Sequence, residues 1–292
     1  MLGRVFLLAF LGFLAFLIGV ATAQSQQMCA NDLVRQVVNN ELKIGDQDRS
    51  HWMYRRHTEK QNAPKQEEEV VETSNGSLTR PILIDGRQPT AEEQQKAEQH
   101  IQQLASDPSE PERSSRQRKE EQEHTDRMFR MLPDALNFTY AEERGDLVKL
   151  TFVPNPQFRA PTREAEVFHA LQGFMWVDRK QNRLGEISGR LVRKVKFGGG
   201  LLGHLDEGGT FDVKKEEVAP GSWKMTVLSV NMTGRVLFFK AISEQQKESR
   251  GEFKRLPDDL TVAQAAELLQ KQVISQLQTG TGQAGAGAAG SR

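Results

Sequence analysis

Cys29 is the one cysteine in a chain of 292 residues. That scarcity excludes a disulfide framework and a four-thiolate zinc site. An excess of either charge is missing too, with 39 basic side chains against 39 acidic ones. No whole-molecule field therefore selects nucleic acid or an acidic substrate, and nucleic acid is not an expected partner. Catalytic signatures are just as scarce. The six histidines (His51, His57, His100, His124, His169 and His204) form no H-E-x-x-H metal helix. His51 and His57 share a strand face, but six residues of strand hold them about 20 Å apart. Gly185-Glu186-Ile187-Ser188-Gly189 lacks the central serine of a nucleophile elbow. The run Gly198-Gly199-Gly200-Leu201-Leu202-Gly203-His204 lacks the lysine and hydroxyl of a phosphate-binding loop and reads as a flexible turn between strands. Its leucines make an apolar tip able to gate a cavity or touch a membrane. No catalytic residue, metal ligand or cofactor is assigned, although dispersed acid–base residues or a metal site built from distant segments stay open.

A long hydrophobic run occurs once. Arg4 precedes the sixteen residues Val5–Val20, which are followed by Ala21-Thr22-Ala23. A basic start, an apolar middle and small residues at the last and third-last positions predict a signal peptide cleaved after Ala23. An uncleaved membrane anchor is the competing reading, because the run nearly reaches spanning length. Removing residues 1–23 takes away one basic and no acidic side chain, so the charge balance belongs to the mature chain. Export without paired cysteines points to a bacterial periplasm or the extracellular medium. The mature chain is not expected to span a membrane.

Leu33, Val34, Val37, Val38 and Leu42 recur at helical spacing, which predicts a helix over Asn31 to Ile44. His51 to Glu59 reads as a strand, and Glu67–Thr73 with Leu78–Asp85 as a hairpin about Asn75-Gly76. Thr90 and Glu93 have capping-box spacing, so a helix should follow. Yet only Ile101 and Leu104 are large apolar residues among the forty from Gln88 to Arg127. So polar a stretch predicts a solvated helical arm or a partly disordered insert outside the core. That insert either does nothing or docks a protein partner.

From Phe138 to Lys254 period-two alternation takes over. Val148, Leu150 and Phe152 alternate with Lys149 and Thr151; Ile187, Gly189, Leu191, Val195 and Phe197 alternate with polar residues as one strand; Trp223, Met225 and Val227 alternate with Lys224 and Thr226. Strands of this kind put one face on a core and one in water. Phe174-Met175-Trp176-Val177 and Val236-Leu237-Phe238-Phe239 are apolar on both faces and so call for cover on both. Thr261 and Gln264 cap a C-terminal helix striped by Val262, Ala265, Ala266, Leu269, Val273 and Leu277. The glycine- and alanine-rich tail, residues 279–292, has nothing to bury. The low mean hydropathy, −0.59, averages an apolar leader, a strand-rich body and the polar insert.

Gly173-Phe174-Met175-Trp176-Val177-Asp178 followed by Arg183-Leu184-Gly185-Glu186-Ile187, in a chain that opens with a helix, resembles the outer-membrane lipoprotein carrier and lipoprotein-sorting group. The likeness runs from about Asp48 to Arg255. His51-Trp52-Met53-Tyr54-Arg55 and the stretch Lys196 to Leu205 also resemble a family of uncharacterised secreted bacterial proteins. The first resemblance implies a half-barrel whose concave face, under helices, holds acyl chains. The expected fold is mainly β with helices (α+β): a curved antiparallel sheet covered by N- and C-terminal helices. Residues 24–87 supply the first helix and strands, 88–132 the insert, and 133–278 the rest of the sheet and the last helix. The expected function is a non-enzymatic exported binding protein for a lipid or acylated protein. Its apolar cavity would be lined by Trp52, Tyr54, Phe152, Trp176, Phe197, Leu201, Leu202, Phe211, Trp223, Phe238 and Phe239. An envelope scaffold acting through the insert, or a hydrolase with dispersed residues, is the alternative.

Overall fold

The computed structural model describes residues 28–106, 109–200, 203–236 and 239–271. The leader, its cleavage site, the tail, Leu201, Leu202 and Phe238 lie outside the described residues, as do the side chain of Phe239 and the last two apolar positions of the C-terminal helix.

Helix α1 (Ala30–Gln47) buries the stripe read from its spacing: Leu33, Val34, Val37, Val38 and Leu42. Three strands follow: β1 (His51–Lys60), β2 (Gln66–Thr73) and β3 (Gly76–Ile84). The β2–β3 turn centres on Ser74-Asn75, one residue earlier than the Asn-Gly pair predicts. Thr73 pairs with Gly76, whose φ of 141° opens β3. Helices α2 (Ala91–Ser106) and α3 (Ser109–Ala135) come next, then β4 (Leu136–Arg144) and β5 (Leu147–Pro154). A short 3-10 helix (Glu164–Ala170) leads into β6 (Leu171–Asp178) and β7 (Arg183–Leu191). Strands β8 (Val195–Phe197) and β9 (Gly203–Leu205) form a small flap, followed by β10 (Thr210–Ala219), β11 (Ser222–Val236), β12 (Phe239–Leu256) and helix α4 (262–271).

Ten strands form one antiparallel sheet in the order β3-β2-β1-β12-β11-β10-β7-β6-β5-β4, with the flap paired onto β11 through β9. The sheet is not closed into a barrel. The chain enters at its middle with β1, reaches one edge at β3, and re-enters at the other edge with β4. It then works inward until β12 pairs with β1. One connection must therefore carry the chain from edge to edge. The nine interstrand steps span about 43 Å, and the 27 residues of α3 reach about 40 Å as a helix. Helix α3 touches both β3 and β4.

The segment read as an insert outside the core is thus the crossover of the fold, and it does supply core residues. Ile101 is 1% exposed and Leu104 packs beside it. One isoleucine on the inner side of α2 is enough when a neighbouring helix provides the rest of the apolar surface. Both anticipated capping boxes form: Thr90 N–H donates to the Glu93 carboxylate at 2.7 Å, and Thr261 N–H to Gln264 Oε1 at 2.9 Å.

Tracing the register strand by strand separates two cores on opposite faces. On one face, at the β4–β7 end, α1 and the last turns of α3 cover Leu136, Phe138, Val148, Leu150, Phe152, Met175, Val177, Ile187 and Leu191. On the other face, at the β1–β3 end, α2 and α4 cover Met53, Val71 and Leu78 with Ile101, Ala265 and Leu269. Gly173 and Gly189 sit opposite one another within the first core. A Cβ on Gly173 would lie 1.9 Å from Ser188 O, and one on Gly189 would lie 2.6 Å from the Phe211 ring, so Phe152 and Phe211 close over the pair only because both are glycine.

Three readings of the β-region are corrected. The strand anticipated across 186–197 ends at Leu191, and the chain turns before β8. Trp223, Met225 and Val227 do not share a face. Val227 pairs with Lys214 while Met225 pairs with the adjacent Lys215, so a bulge at Thr226 reverses the alternation. Among the described residues no helix packs on the second face of the Phe174–Val177 strand. Instead Lys149 Nζ lies 4.5 Å from the centre of the Phe174 ring, and Arg144 Cζ 4.9 Å from that of Trp176. Cations on their stems, rather than a packed layer, shield these rings.

Candidate binding face

On the face carrying α1, the sheet continues beyond the strands that the helices cover. Register places Phe211 and Val213 of β10 opposite Val230 and Leu228 of β11, with Met225 beyond the bulge on the same side. Phe211 and Val213 pack against the α1 core. Met225, Leu228 and Val230 are half-buried and belong to none of the buried clusters. On the far side of this stripe, Trp52, Tyr54 and Val70 form a small cluster with Phe253. The Tyr54 and Phe253 rings are 5.2 Å apart. The stripe runs from the α1 core into the middle of the sheet, where Glu248 and Gln246 of β12 lie opposite Leu228 and Val230.

Charged groups bound it. Glu41, on the apolar stripe of α1, accepts from Arg183 Nε at 2.7 Å and from Leu184 N–H at 3.0 Å, and is also paired with Lys215. Burial pushes the Glu41 carboxyl up, but the bonds from Arg183 and Lys215 outweigh it and hold the group below the usual glutamate range. At the other side Arg56 pairs with Glu68 at 2.6 Å, and Arg250 with Glu248 at 2.6 Å, all four largely buried. Near the start of β1, Lys224 Nζ donates to Asp48 at 2.7 Å and to Ser50 Oγ at 3.1 Å. Burial raises the Asp48 carboxyl, yet the hydrogen bonds it accepts from Lys224 and from the Ser50 side chain and N–H win and bring it to about 2. Glu72 goes the other way: it accepts the Trp52 N–H at 3.2 Å, and burial pushes it above its ordinary value despite Lys224 and Arg250.

The eleven positions expected to line one cavity do not converge. Phe152 is buried in the α1 core, with Phe211 and Phe197 packed at its margin. Trp52 and Tyr54 belong to the separate aromatic cluster. Trp223 stands at the rim, its Nε1–H donating to Gln181 Oε1 at 3.1 Å and its ring 5.6 Å from Arg183 Cζ. Trp176 projects from the opposite face, yet it lines one open pocket together with Trp223, Glu186 and Lys214. The remaining four, Leu201, Leu202, Phe238 and Phe239, have no described side chain. An aromatic in an alternating strand reports burial, not which face or cluster receives it.

Two residues of structural weight escaped the sequence reading. Glu41 falls three and four residues from Val38 and Val37, so a charge on the apolar stripe was the available signal. Asn31 gave none: its amide donates to Pro133 O and Leu136 O, both at 2.8 Å, and its carbonyl accepts from Phe138 N–H. It thereby pins α1 to the edge strand β4. Tyr140 adds a hydroxyl bond to Met28 O at 2.9 Å, covering more of that edge.

Among the described residues there is no group of three histidine, cysteine or carboxylate side chains placed to hold a metal ion. Cys29 is exposed, just before α1. No described helix is long and apolar enough to cross a membrane. No protein-family model matches the chain, and no curated protein matches it.

Proposed function

We propose that this chain is an exported, non-enzymatic binding protein that holds an acyl chain, free or on a lipidated partner, against the α1 face of its sheet. The observation that carries the reading is the stripe of Met225, Leu228 and Val230, apolar and half-buried beside the α1 core and belonging to no buried cluster. Recognition there rests on burial, at about 0.8 kcal/mol per methylene. A chain of about ten methylenes contributes about 8 kcal/mol before ordering costs, so the net binding is weaker than micromolar unless the head group adds contacts. The ion pairs at the rim leave room for a polar head group in solvent while the stripe takes the tail.

The test is titration of purified protein with a fluorescent fatty acid, alongside native mass spectrometry for lipid carried through purification. Leu228→Asp with Val230→Asp is expected to weaken the probe at least tenfold with no change in the far-ultraviolet spectrum. Absence of probe binding and of carried lipid sinks the reading.

A second reading draws on α3, whose described side chains from Arg116 to Thr125 are all exposed. A protein partner docked there would be displaced by charge reversal at Lys119, Glu120 and Glu123, positions that no packing constrains. Partners that survive the reversal leave α3 as a crossover alone.

A further inference from the structure

Strands β7 and β10 pair only as far as Glu186 and Lys214. Beyond that point residues 183–185 and 215–217 part, and the Leu184 N–H goes to Glu41 Oε1 at 3.0 Å instead of to a neighbouring strand. An open cleft of about 420 Å³ lies there, and its walls take side chains from both faces of the sheet, which paired strands would keep apart. Trp176, Glu186 and Glu216 come from the face turned away from α1; Lys215, Glu217 and Trp223 come from the face that carries it. Two of the chain's three tryptophans thus line one cleft. Its charges balance, with Arg144, Lys214 and Lys215 against Glu186, Glu216 and Glu217. Five of the six are engaged: Arg144 by Glu142, Lys214 by Glu186, Lys215 by Glu41, and Glu217 by the Gly221 N–H at 2.6 Å. Glu216 is exposed and has no bonding partner among the described residues. Lys149 and Arg183 lie against the Trp176 and Trp223 rings at 5.5 and 5.6 Å, and since neither lines the cleft they back the rings from outside it.

We infer that this cleft binds a neutral sugar residue of a glycan. Equal numbers of cations and carboxylates give no net field to select either an anion or a cation. They do place donors and acceptors side by side, and a hydroxyl is both. An acyl chain in the same position would strip water from charged groups and return no hydrogen bond to them. The C–H side of a sugar ring supplies the apolar half of the match, because it is weakly positive and an aromatic face is negative. A peptide strand would need free N–H groups on the parted strands, and that of Leu184 is taken. Trp223 is already fixed by its bond to Gln181 and by Arg183 behind it, so little side-chain freedom is lost on binding. Trp176 and Glu216 stand on the face opposite the acyl stripe, and the inference does not rest on that site.

Calorimetric titration of the full mature chain with maltohexaose, cellohexaose and N-acetylated chitohexaose tests it. At least one of the three is expected to bind in the millimolar range or tighter, with an affinity that raised salt leaves unchanged. Trp176→Ala and Trp223→Ala should each weaken that binding about tenfold, as the loss of one ring contact does. Glu216→Ala should weaken it severalfold with thermal unfolding unchanged. Should a tryptophan variant unfold, Glu216→Ala, at an exposed position, still decides. The fluorescent fatty acid titration is expected to be unchanged in Trp176→Ala and Glu216→Ala, so either site can fail alone. Failure of all three sugars to bind at millimolar concentration, binding that survives either tryptophan substitution, or tighter binding of the charged hexagalacturonate overturns the proposal. So does a Glu216→Ala chain that binds as well as the wild type, because the free carboxylate would then meet no hydroxyl.

Discussion

The two ends of the sheet are closed by different means. At the β4–β7 end, α1 lies on an aromatic and aliphatic core and is locked to the sheet by charge, with Glu41 buried against Arg183 and Lys215. At the β1–β3 end, on the opposite face, α2 and α4 close a smaller aliphatic core, and the main polar tie is Arg80 donating to the Leu269 carbonyl at 2.6 Å. A sheet with one core per face at opposite ends cannot seal its middle on either face. Strands β10 and β11 pay the consequence, carrying apolar side chains that remain half-buried. Binding is thereby located by how the cores are distributed, and not by a cavity within either of them.

The charged lock is the sharpest point of contrast. Removing Glu41 leaves Arg183, whose side chain is 5% exposed, without its carboxylate and leaves Leu184 N–H without an acceptor. Glu41→Ala is expected to cost about 4 kcal/mol, as breaking one side of a buried pair does. Urea unfolding checks it. A loss below about 1 kcal/mol, the size of an exposed pair, would mean that water reaches Arg183 and that the two ends do not differ in this way. Glu41→Gln, which keeps an acceptor, should fall between.

At the other end the equivalent lesion is apolar. Ile101→Ala empties the contact between α2, α4 and the β1–β3 strands and should cost about 3 kcal/mol. Hydrogen exchange makes the result specific to a region: amides of α2 and β1–β3 lose protection while those of α1, β5 and β6 keep theirs. Equal loss at both ends would show the sheet opening as one unit and would remove the separation of cores on which the comparison stands.

Features decided within a few residues were open to reading from sequence. The capping boxes at Thr90 and Thr261, the stripe of α1 and the hairpin between β2 and β3 depend on neighbours in the chain, and all form. What depended on distant partners was closed to it. The seam of β12 on β1 joins segments from opposite ends of the chain. Glu41 finds Arg183 142 residues away and Lys215 174 residues away. Bulges did further damage, because one extra residue at Thr226 moves every side chain beyond it to the other face. The stripe proposed as the site therefore mixes positions from both sides of a bulge, and simple alternation had grouped Val227 with Met225.

The smallest effect tests the same contrast by its sign. Glu41 and Asp48 have folded-state pKa values below their ordinary values of 4.5 and 3.8, Asp48 at about 2. Each contributes stability above its unfolded value, and that contribution is lost as pH falls through the folded one. Glu72 is shifted upward by burial, so its ionised form costs the fold stability at neutral pH. As pH falls through its raised folded value toward 4.5, the folded state takes up the proton first and the cost is relieved. Glu72→Gln keeps an oxygen for the Trp52 N–H and removes the buried charge. It should be more stable than the wild type at neutral pH by less than about 1 kcal/mol, with the gain vanishing in acid. Glu41→Gln should be less stable at neutral pH, with its deficit shrinking in acid as the wild-type carboxylate itself is protonated. Denaturant midpoints across the acid range give both difference curves. Opposite signs mean that pairing outweighs burial at Glu41 and burial outweighs pairing at Glu72; a shared sign would show that both carboxylates are governed by the same balance.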